Sequence, residues 1–301
     1  MRDALCVDCI VLNYNDADTT INMVNGIRDY GIFNHIIMVD NCSTDGSADR
    51  LAVITDEKVI LIRNAQNTGY GAGNNLGVYY SHTHYNGDFA VIANPDVEFT
   101  EDCIQALVDE MLRDRKLAVI APVQKDTKGN VVERVAWPLP TVWRTILSGG
   151  RILKNRLNKP YTTEYLIEYA ANPDVNSVSV DCVPGAMLMV NTKTFCTVLN
   201  GYDEKNFLYG EENMLGRKVK NFGLKTALNF RETYIHKHAV SITKSYPSEV
   251  NRKKLLLDAK YFYLKNYTDA NRFQLWIARC MFKFYLFEKK ISTRVKMLWR
   301  K

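Results

Sequence analysis

The sequence predicts an α/β protein with a doubly wound, mainly parallel sheet and a basic helical appendage at its carboxyl end. Apolar runs rich in β-branched residues alternate with segments of helical spacing over the first 121 residues. Polar residues cluster directly after the apolar runs, where the carboxyl ends of parallel strands would meet. The composition agrees, because 47% hydrophobic and 24% charged residues are typical of a globular chain.

Five strands are predicted within this alternation, together with the helices that connect them. Thr19 or Thr20 is expected to cap the first helix, in which Ile21, Val24 and Ile27 recur at helical spacing. The predicted strands are 4–12, 35–39, 58–62, 89–93 and 117–121, and the predicted helices end near Tyr30, His82 and residue 115.

Residues 122–180 contain five prolines and predict hairpins within a long irregular excursion. Regular structure is expected again from Val178 to Met189 and in a helix near 211–222. We expect the irregular part to shape the site of an acceptor substrate.

Several classes of protein are disfavoured by the sequence. The seven cysteines are scattered, and the one close pair, Cys6 and Cys9, lies in an apolar run, so we expect neither a disulfide scaffold nor a zinc site. The first residues lack a signal-peptide pattern, and no uninterrupted apolar run reaches the roughly 18 residues of a membrane-spanning helix. We therefore expect a cytoplasmic protein.

Asp40 follows the second predicted strand, so its carboxylate is expected at the carboxyl edge of the sheet. At that edge it could accept hydrogen bonds from a nucleobase or a ribose hydroxyl. The alternative is that Asp40 and Ser43 only cap the turn and the helix that follow.

A loop rich in glycine and asparagine is predicted over residues 64–75, after the third predicted strand, and four glycines occur in nine residues from Gly69 to Gly77. Glycines allow close approach of the backbone, and the N-terminus of the following helix favours an anion. Gly69, Gly71 and Gly73 are similar to part of a dinucleotide fingerprint. Asn74, however, stands where GxGxxG requires glycine, and the sequence contains no P-loop.

Asn94-Pro95-Asp96 ends the fourth predicted strand. A carboxylate at this position, beside the glycine-rich segment, can hold Mg²⁺ or Mn²⁺ against a diphosphate, because these hard cations prefer oxygen ligands. The alternative is an ordinary Asn-Pro-Asp turn.

Glu211 and Glu212 follow an aromatic stretch. Adjacent carboxylates repel each other and partial burial raises the pKa of one of them, which suits a general base; an acidic helix N-terminus is the alternative. His236 and His238 alternate along a predicted strand and would share one face, where they could bind a metal or have no such role.

Taken together, these segments resemble glycosyltransferase family 2, whose members have the GT-A fold. The resemblance runs from about residue 6 to 243 and implies a Rossmann-like, doubly wound, mixed but mainly parallel sheet. It rests on Leu12–Asn15, Val39–Ser47, Asn67–Gly77, Asn94–Asp96, Val183–Met187, Gly201–Glu204, Phe207–Glu212, and His236 with Ser241.

The resemblance implies a site for a nucleoside-diphosphate sugar, linked to UDP or dTDP. Asp40 would contact the base, and the segment Asn67–Asn75 would border the sugar nucleotide. The implied nucleotide-sugar-binding residues are Asn15, Asp40, Asn67, Gly69, Tyr70, Asn74 and Asn94.

The resemblance also implies a divalent cation, Mg²⁺ or Mn²⁺. Asp96 would be the direct ligand of the motif usually written Asp-x-Asp, in which Asn94 replaces the first aspartate. His236 fits the metal-side histidine of a His-x-x-Gly-x-Ser pattern, because Ser241 follows five residues later; Ala239 stands where glycine is usual.

Glu212 stands where the family's Glu-Asp pair has aspartate, and the resemblance implies that it is the catalytic base, with Glu211 as its rival. The implied reaction is inverting transfer of a hexosyl or deoxyhexosyl unit to a hydroxyl of a saccharide acceptor that could be lipid-linked. The Asn-Pro-Asp branch includes rhamnosyltransferases, and polysaccharide synthesis is the implied setting. A nucleotidyltransferase and a non-catalytic nucleotide-sugar-binding protein are the alternatives.

The net charge of +6 conceals an asymmetry. Residues 251–301 carry a net charge of +11 and are rich in aromatic side chains, whereas residues 1–250 carry −5. We therefore predict a catalytic domain over 1–245 and a helical tail over 246–301, peripheral at the inner face of the plasma membrane. A hairpin packed on the body and a homo-oligomer contact are the alternatives; nucleic acid is not expected, since no recognised module is present.

Overall fold

The structure is a computed structural model that describes residues 5–150, 172, 175–237 and 248–298, with side chains described up to residue 294. Its strands are β1 (Val7–Asn13), β2 (His35–Asp40), β3 (Val59–Arg63), β4 (Phe89–Ala93), β5 (Val97–Glu98), β6 (Leu117–Lys125), β7 (Ser177–Val180), β8 (Met187–Asn191) and β9 (Lys225–His236). Its helices are α1 (Ala17–Ile27), α2 (Ser47–Ala52), α3 (Gly69–His84), α4 (Glu101–Arg113), α5 (Val142–Leu147), α6 (Glu211–Asn221), α7 (Glu249–Tyr267) and α8 (Arg272–Leu298), and Thr194–Val198 forms a π-helical turn.

All nine strands belong to one sheet, in the order β3-β2-β1-β4-β8-β6-β9-β5, with β7 also paired to β9. Strands β1 to β4, β6 and β9 run in one direction, whereas β8 is antiparallel to both of its neighbours. The prediction of a mixed, mainly parallel sheet is therefore confirmed. Both faces of the sheet are covered, because Cys9 and Val11 of β1 pack into one hydrophobic cluster and Ile10 packs into another.

The parallel register brings the ends of β1, β2 and β4 to one edge of the sheet. Asn13 is paired with Asp40, and Val11 is paired with Ala93, so the chain leaves all three strands on the same side. The polar residues that follow these strands are consequently neighbours in space, as the sequence predicts.

The glycine-rich segment is helical from Gly69 onward, which corrects the predicted loop over residues 64–75 for its second part, residues 69–75. Helix α3 begins at Gly69, so all four glycines lie inside it. A Cβ at Gly73 would lie 2.6 Å from Leu12 Cδ1, and one at Gly77 would overlap Ile10 Cγ2. The glycines therefore bring the α3 backbone close to β1, and close packing of a helix on the sheet is their structural role.

The predicted caps of the first helix are wrong. Asp16 is the N-cap residue of α1, and Thr20 is buried one turn later. The Thr20 hydroxyl donates to Asn13 Oδ1 at 2.9 Å, a contact between the helix and the end of β1. The regular structure expected from Val178 to Met189, with an interruption at Pro184-Gly185, consists of two strands, β7 and β8, which are separated by a segment that contains Pro184.

The predicted strand around the histidine pair ends at His236, the last residue of β9. His238, Ala239 and Ser241 lie outside the described residues. The expectation that two histidines share one strand face therefore concerns a position that the structure does not describe.

The basic tail forms α7 and α8, which pack on each other and on α5. Gly149 and Gly150 follow α5 and leave room for Tyr285, because a Cβ at either glycine would lie within 3 Å of its ring. This hairpin packed on the body is one of the alternatives that the sequence leaves open, and none of the described helices is both long and apolar enough to cross a membrane. The small core that joins these helices consists of Ile146, Leu257, Leu264, Ala278, Phe282 and Tyr285.

Candidate active site

The Asp40 carboxylate orders the loop that follows β2. It is buried, and it accepts hydrogen bonds from Asn13 Nδ2 at 2.7 Å, the Ser43 backbone N–H at 2.9 Å and the Ser43 hydroxyl at 2.6 Å. Ser43 takes part in this turn, while the helix α2 that follows has Gly46 at its N-cap. Asp40 and Ser43 thus cap the turn, as the alternative interpretation predicts, but they do not cap the helix. The contact of Asp40 with a nucleobase stays a prediction.

Asn15 joins the loop after β1 to the loop after β2. Its φ of 54° is in the left-handed region, which asparagine tolerates better than most residues. Its backbone N–H donates to Ser43 Oγ at 2.9 Å, and its side-chain Oδ1 accepts from the Thr44 backbone N–H at 2.8 Å. These bonds fix the two loops against each other at the carboxyl edge.

Asn67 and Gly69 form the entry to helix α3. Asn67 Oδ1 accepts from Asn41 Nδ2 at 3.1 Å and from the Gly69 backbone N–H at 3.0 Å. Gly69 has a φ of 86°, and a Cβ there would collide with the carbonyl oxygen of Phe207. Glycine is therefore required here by both its backbone conformation and a close chain crossing.

Tyr70 and Asn74 line the first turns of α3. The Tyr70 hydroxyl donates to the Gly185 carbonyl at 2.5 Å, and Asn74 Nδ2 donates to the Tyr70 carbonyl at 3.0 Å. Burial raises the pKa of the Tyr70 hydroxyl well above its usual value. Asn74 Oδ1 is buried without a hydrogen-bond partner among the described residues.

Asn94 and Asp96 lie in a tight turn between β4 and β5. The Asn94 backbone N–H donates to the Ala186 carbonyl at 2.8 Å, and its carbonyl accepts from the Val97 N–H at 3.3 Å. Asp96 is buried, and its Oδ1 lies 3.2 Å from His236 Nε2. This contact across 140 residues arises because β5 pairs with β9, with Val97 opposite His236.

The Asp96–His236 pair is suitable for a divalent cation. Cis ligands of an octahedral Mg²⁺ site, each about 2.1 Å from the ion, lie about 3 Å apart, close to the 3.2 Å between these two atoms. A carboxylate with one imidazole suits Mn²⁺ or Mg²⁺, which accept mainly oxygen donors from the protein and a diphosphate.

Gln124 and Tyr234 support His236, and sequence reasoning did not find either residue. Gln124 Nε2 lies 3.2 Å from His236 Nδ1, and the Tyr234 hydroxyl donates to Gln124 Oε1 at 3.1 Å. A partner on the second ring nitrogen orients a histidine toward a metal. The sequence gave no indication of these hydrogen bonds, because they form only when β6 pairs with β9.

Glu211 and Glu212 begin α6 and differ in their surroundings. Glu211 is only 6% exposed, and its Oε1 has no hydrogen-bond partner among the described residues. Burial, and then the charge of Glu212, raise the pKa of Glu211 to about 8. Glu212 is half-buried beside Gly185, where a Cβ would lie 3.2 Å from Glu212 Oε1.

Tyr234 lies in the electrostatic field of both Glu212 and Asp96. Burial raises the pKa of the Tyr234 hydroxyl, and the charges of these two carboxylates raise it further. The predicted base and the predicted metal ligand are therefore both within electrostatic reach of the Tyr234 hydroxyl.

Two residues of the irregular segment also lie beside Glu212. The Arg134 guanidinium stacks over the Trp137 ring at 3.9 Å, and Trp137 Nε1 donates to Asn213 Oδ1 at 2.8 Å. Arg134 is exposed as a residue, but desolvation of its guanidinium lowers its pKa, and the charge of Glu212 partly offsets this shift. Their spacing in the sequence gave no indication of this position, and the expectation that residues 122–180 shape an acceptor site stays a prediction.

Cys6, Asp8 and His35 form a separate cluster at the opposite, amino end of β1 and β2. Their ligating atoms lie within 4.8 Å of one another. Asp8 accepts from the Ser81 hydroxyl at 2.6 Å and lies 2.9 Å from His35 Nδ1, and burial raises the pKa of the Cys6 thiol to about 12. This hydrogen-bonded cluster is remote in the fold from the residues at the carboxyl edge.

Comparison with known sequences identifies relatives of this chain. The sequence model of Glycosyl transferase family 2 matches residues 8–174. An N-acetylglucosaminyl-diphospho-decaprenol L-rhamnosyltransferase of Mycobacterium tuberculosis (strain ATCC 25618 / H37Rv) is 27% identical over 198 residues, 62% of this chain and 61% of that protein. The low-salt glycan biosynthesis hexosyltransferase Agl10 of Haloferax volcanii is 24% identical over 301 residues, 97% of this chain and 88% of that one. The match thus spans about three fifths of the length of the mycobacterial relative.

Solved structures establish the fold. GalNAc-T7 with UDP, GalNAc and Mn²⁺ superimposes with a TM-score of 0.60 at 15% identity, covering 99% of this chain and 58% of that one. S. aureus TarS 1-349 in complex with UDP-GlcNAc gives a TM-score of 0.54 at 14% identity, covering 90% and 69%. The fold is GT-A, as the sequence predicts.

Proposed function

Because this chain belongs to glycosyl transferase family 2, we propose that it is an inverting, metal-dependent glycosyltransferase. Its donor is a UDP- or dTDP-linked hexose or deoxyhexose, and its acceptor is a hydroxyl of a lipid-linked saccharide in polysaccharide synthesis. The neighbours solved with UDP and UDP-GlcNAc support the donor class, and the mycobacterial relative supports the acceptor class. The observation that carries the proposal is the contact between Asp96 and His236, and the charge of Glu212 acts on the nearby Tyr234 hydroxyl.

The nucleotide part of the donor lies along the carboxyl edge in this proposal. Asn15 lies in the loop after β1, and Asp40 ends β2 and orders the loop that follows; hydrogen bonds join the two loops, and Asp40 contacts the base. Asn67, Gly69, Tyr70, Asn74 and Asn94 border the diphosphate and the sugar.

Asp96 and His236 would hold Mg²⁺ or Mn²⁺ beside the diphosphate. When bound, the cation supplies positive charge that stabilises the departing nucleoside diphosphate. Gln124 and Tyr234 keep the His236 ring in place for this task.

Glu212 accepts the proton of the acceptor hydroxyl. The hydroxyl oxygen forms a bond to the anomeric carbon while the bond from that carbon to the diphosphate oxygen breaks. A single displacement of this kind inverts the anomeric configuration. Glu211 carries its own proton at neutral pH, since its pKa is raised to about 8, and it therefore supports the site as a neutral group.

The nucleotide that is released from the donor tests this function. The full chain is first screened for thermal stabilisation by UDP, dTDP and their sugars with Mn²⁺, and the stabilising donor is incubated with lipid-linked saccharides. We expect release of a nucleoside diphosphate, reduced roughly a hundredfold or more in Asp96→Asn. Asp109→Asn, a change at an exposed carboxylate on α4, should match the wild type.

Other products would contradict the proposal. Release of pyrophosphate would indicate a nucleotidyltransferase. Stabilisation by a nucleotide sugar without any turnover across the acceptors would indicate a binding protein.

A further inference from the structure

Helix α8 presents an unusual surface to solvent. Of its side chains described up to residue 294, eleven are exposed, and every one is either apolar or cationic. The aromatic members are strongly exposed, with Trp276 at 60%, Phe284 at 62% and Phe287 at 59%. The exposed residues are Arg272, Phe273, Trp276, Arg279, Cys280, Lys283, Phe284, Phe287, Lys290, Ile291 and Arg294.

The apolar members form one stripe, which we call the aromatic stripe: Phe273, Trp276, Cys280, Phe284, Phe287 and Ile291. Successive members are three or four residues apart, so at about 100° per residue they fall within an arc of about 80°. The stripe extends for about 27 Å along the helix, at 1.5 Å per residue. It points away from the body, because Ala278, Phe282 and Tyr285 on the opposite side are buried.

The five cations form a second row, which we call the cationic row: Arg272, Arg279, Lys283, Lys290 and Arg294. At the same helical rotation they lie within an arc of about 60° along one side of the aromatic stripe. An outward apolar arc beside a same-sign cationic arc is the pattern of a helix that lies in a membrane interface.

A groove between α7 and α8 adjoins the cationic row. Its volume is about 730 Å³, and its lining includes Lys205, Lys254, Lys265, Arg279 and Lys283, with one acid, Asp258. Its floor is apolar, formed by side chains such as Leu257 and Phe282. Cations above an apolar floor suit a phosphate headgroup with the start of its hydrocarbon chain.

We propose that the aromatic stripe and the cationic row of α8 dock this protein on the surface of an anionic lipid bilayer. The aromatic stripe enters the headgroup region, and the cations of the row and the groove contact lipid phosphates. The helix is too polar to span the bilayer, so α8 lies in the interface plane. The proposal rests on surface geometry and charge, independently of the glycosyltransferase assignment.

A bilayer fits this surface better than a second copy of the chain. Protein interfaces are depleted of charge, especially lysine, near their centres. A twofold contact between antiparallel α8 helices would also bring two cationic rows of the same sign together, which costs free energy.

Flotation of the full chain with vesicles tests the proposal. We expect flotation with vesicles that contain phosphatidylglycerol, and much weaker flotation with phosphatidylcholine alone or at high salt, because salt screens the cations. The stripe variant Trp276→Ser/Phe284→Ser/Phe287→Ser should bind roughly tenfold or more weakly. Its matched control, Val53→Ser/Leu112→Ser/Phe222→Ser, removes exposed apolar side chains elsewhere and should bind as the wild type does.

A charge-reversal variant tests the cationic row in the same flotation experiment. Its substitutions are at exposed positions that do not contribute to the core. Lys283→Glu/Lys290→Glu/Arg294→Glu should lose binding roughly tenfold or more, whereas Arg115→Glu/Lys116→Glu/Lys128→Glu should keep it. Thermal unfolding of each variant reports whether it is folded.

Three results would overturn the proposal. In the first, the wild-type protein does not float with the vesicles. In the second, the stripe and charge variants are folded and float as well as the wild type does. In the third, the wild type is a dimer that does not bind vesicles, and the stripe variant is a monomer. None of these measurements depends on glycosyl transfer, so the two proposals fail separately.

Discussion

Glu211 and Glu212 are adjacent in sequence, but the start of α6 places their carboxyl groups in different surroundings. Glu211 packs against the first turns of α3, with its Cγ 3.8 Å from where a Cβ of Gly71 would lie. Its burial holds a proton on the carboxyl group at neutral pH. A protonated carboxyl cannot accept another proton, so the difference in environment supports Glu212 as the proposed base.

The raised pKa of Glu211 predicts how stability depends on pH. An unfolded glutamate titrates near pH 4.3, whereas Glu211 in the folded chain titrates near pH 8. Between these values the folded state holds a proton that the unfolded state has released. The free energy of unfolding should therefore fall as pH rises through this window, by up to about 1.4 kcal/mol per pH unit.

Replacing Glu211 with glutamine removes this titration. We expect urea unfolding of Glu211→Gln to depend less steeply on pH between about 5 and 8 than unfolding of the wild type does. Glu57→Gln, a change at an exposed position before β3, should keep the wild-type slope. An unchanged slope in Glu211→Gln would show that Glu211 does not hold the proton.

At the scale of elements, helix α3 shows where sequence reasoning fails and why. Glycine disfavours helices, so four glycines in nine residues indicated a loop. The segment is helical because Gly73 and Gly77 let the backbone approach Leu12 and Ile10 of β1. That contact joins distant parts of the chain, and local propensity carries no information about it.

The role of Gly77 predicts a pair of opposite effects. Gly77→Ala should lower the free energy of unfolding by about 1–3 kcal/mol, because its Cβ would overlap Ile10 in a packed core. Gly26→Ala in α1 meets nothing within 4 Å and should be neutral or raise stability by up to about 1 kcal/mol. Chemical denaturation of both variants measures the difference, and equal effects would contradict the packing role.

The strands were predictable because their apolar runs are local, and parallel strands must deliver Asp40 and Asn94 to one edge. The N-cap of α1 was not predictable, because Thr20 donates a hydrogen bond to Asn13 across the strand–helix junction and does not cap the helix. Gln124, Tyr234 and Arg134 were missed for a similar reason. They reach the site through pairing of β6 with β9 or through the irregular segment, and no fixed spacing encodes either.

At the scale of the whole molecule, the charge asymmetry corresponds to two surfaces with different proposed tasks. The acidic body carries the site at the carboxyl edge of its sheet, and the cationic helices α7 and α8 pack on it through α5 and α6. If α8 docks on a bilayer, the enzyme is held where lipid-linked acceptors are. Docking would then raise the local concentration of acceptor without any change in the site.

The central claim is that Glu212 takes the acceptor proton, at a site where Asp96 and His236 would hold a cation beside the diphosphate. The most direct measurement compares turnover and nucleotide affinity in Glu212→Gln, with Mn²⁺ present and Glu57→Gln as the control. We predict that turnover falls by roughly a hundredfold or more, while calorimetry shows nearly unchanged binding of the nucleoside diphosphate. Turnover that persists in Glu212→Gln, or affinity that falls as far as turnover does, would contradict the claim.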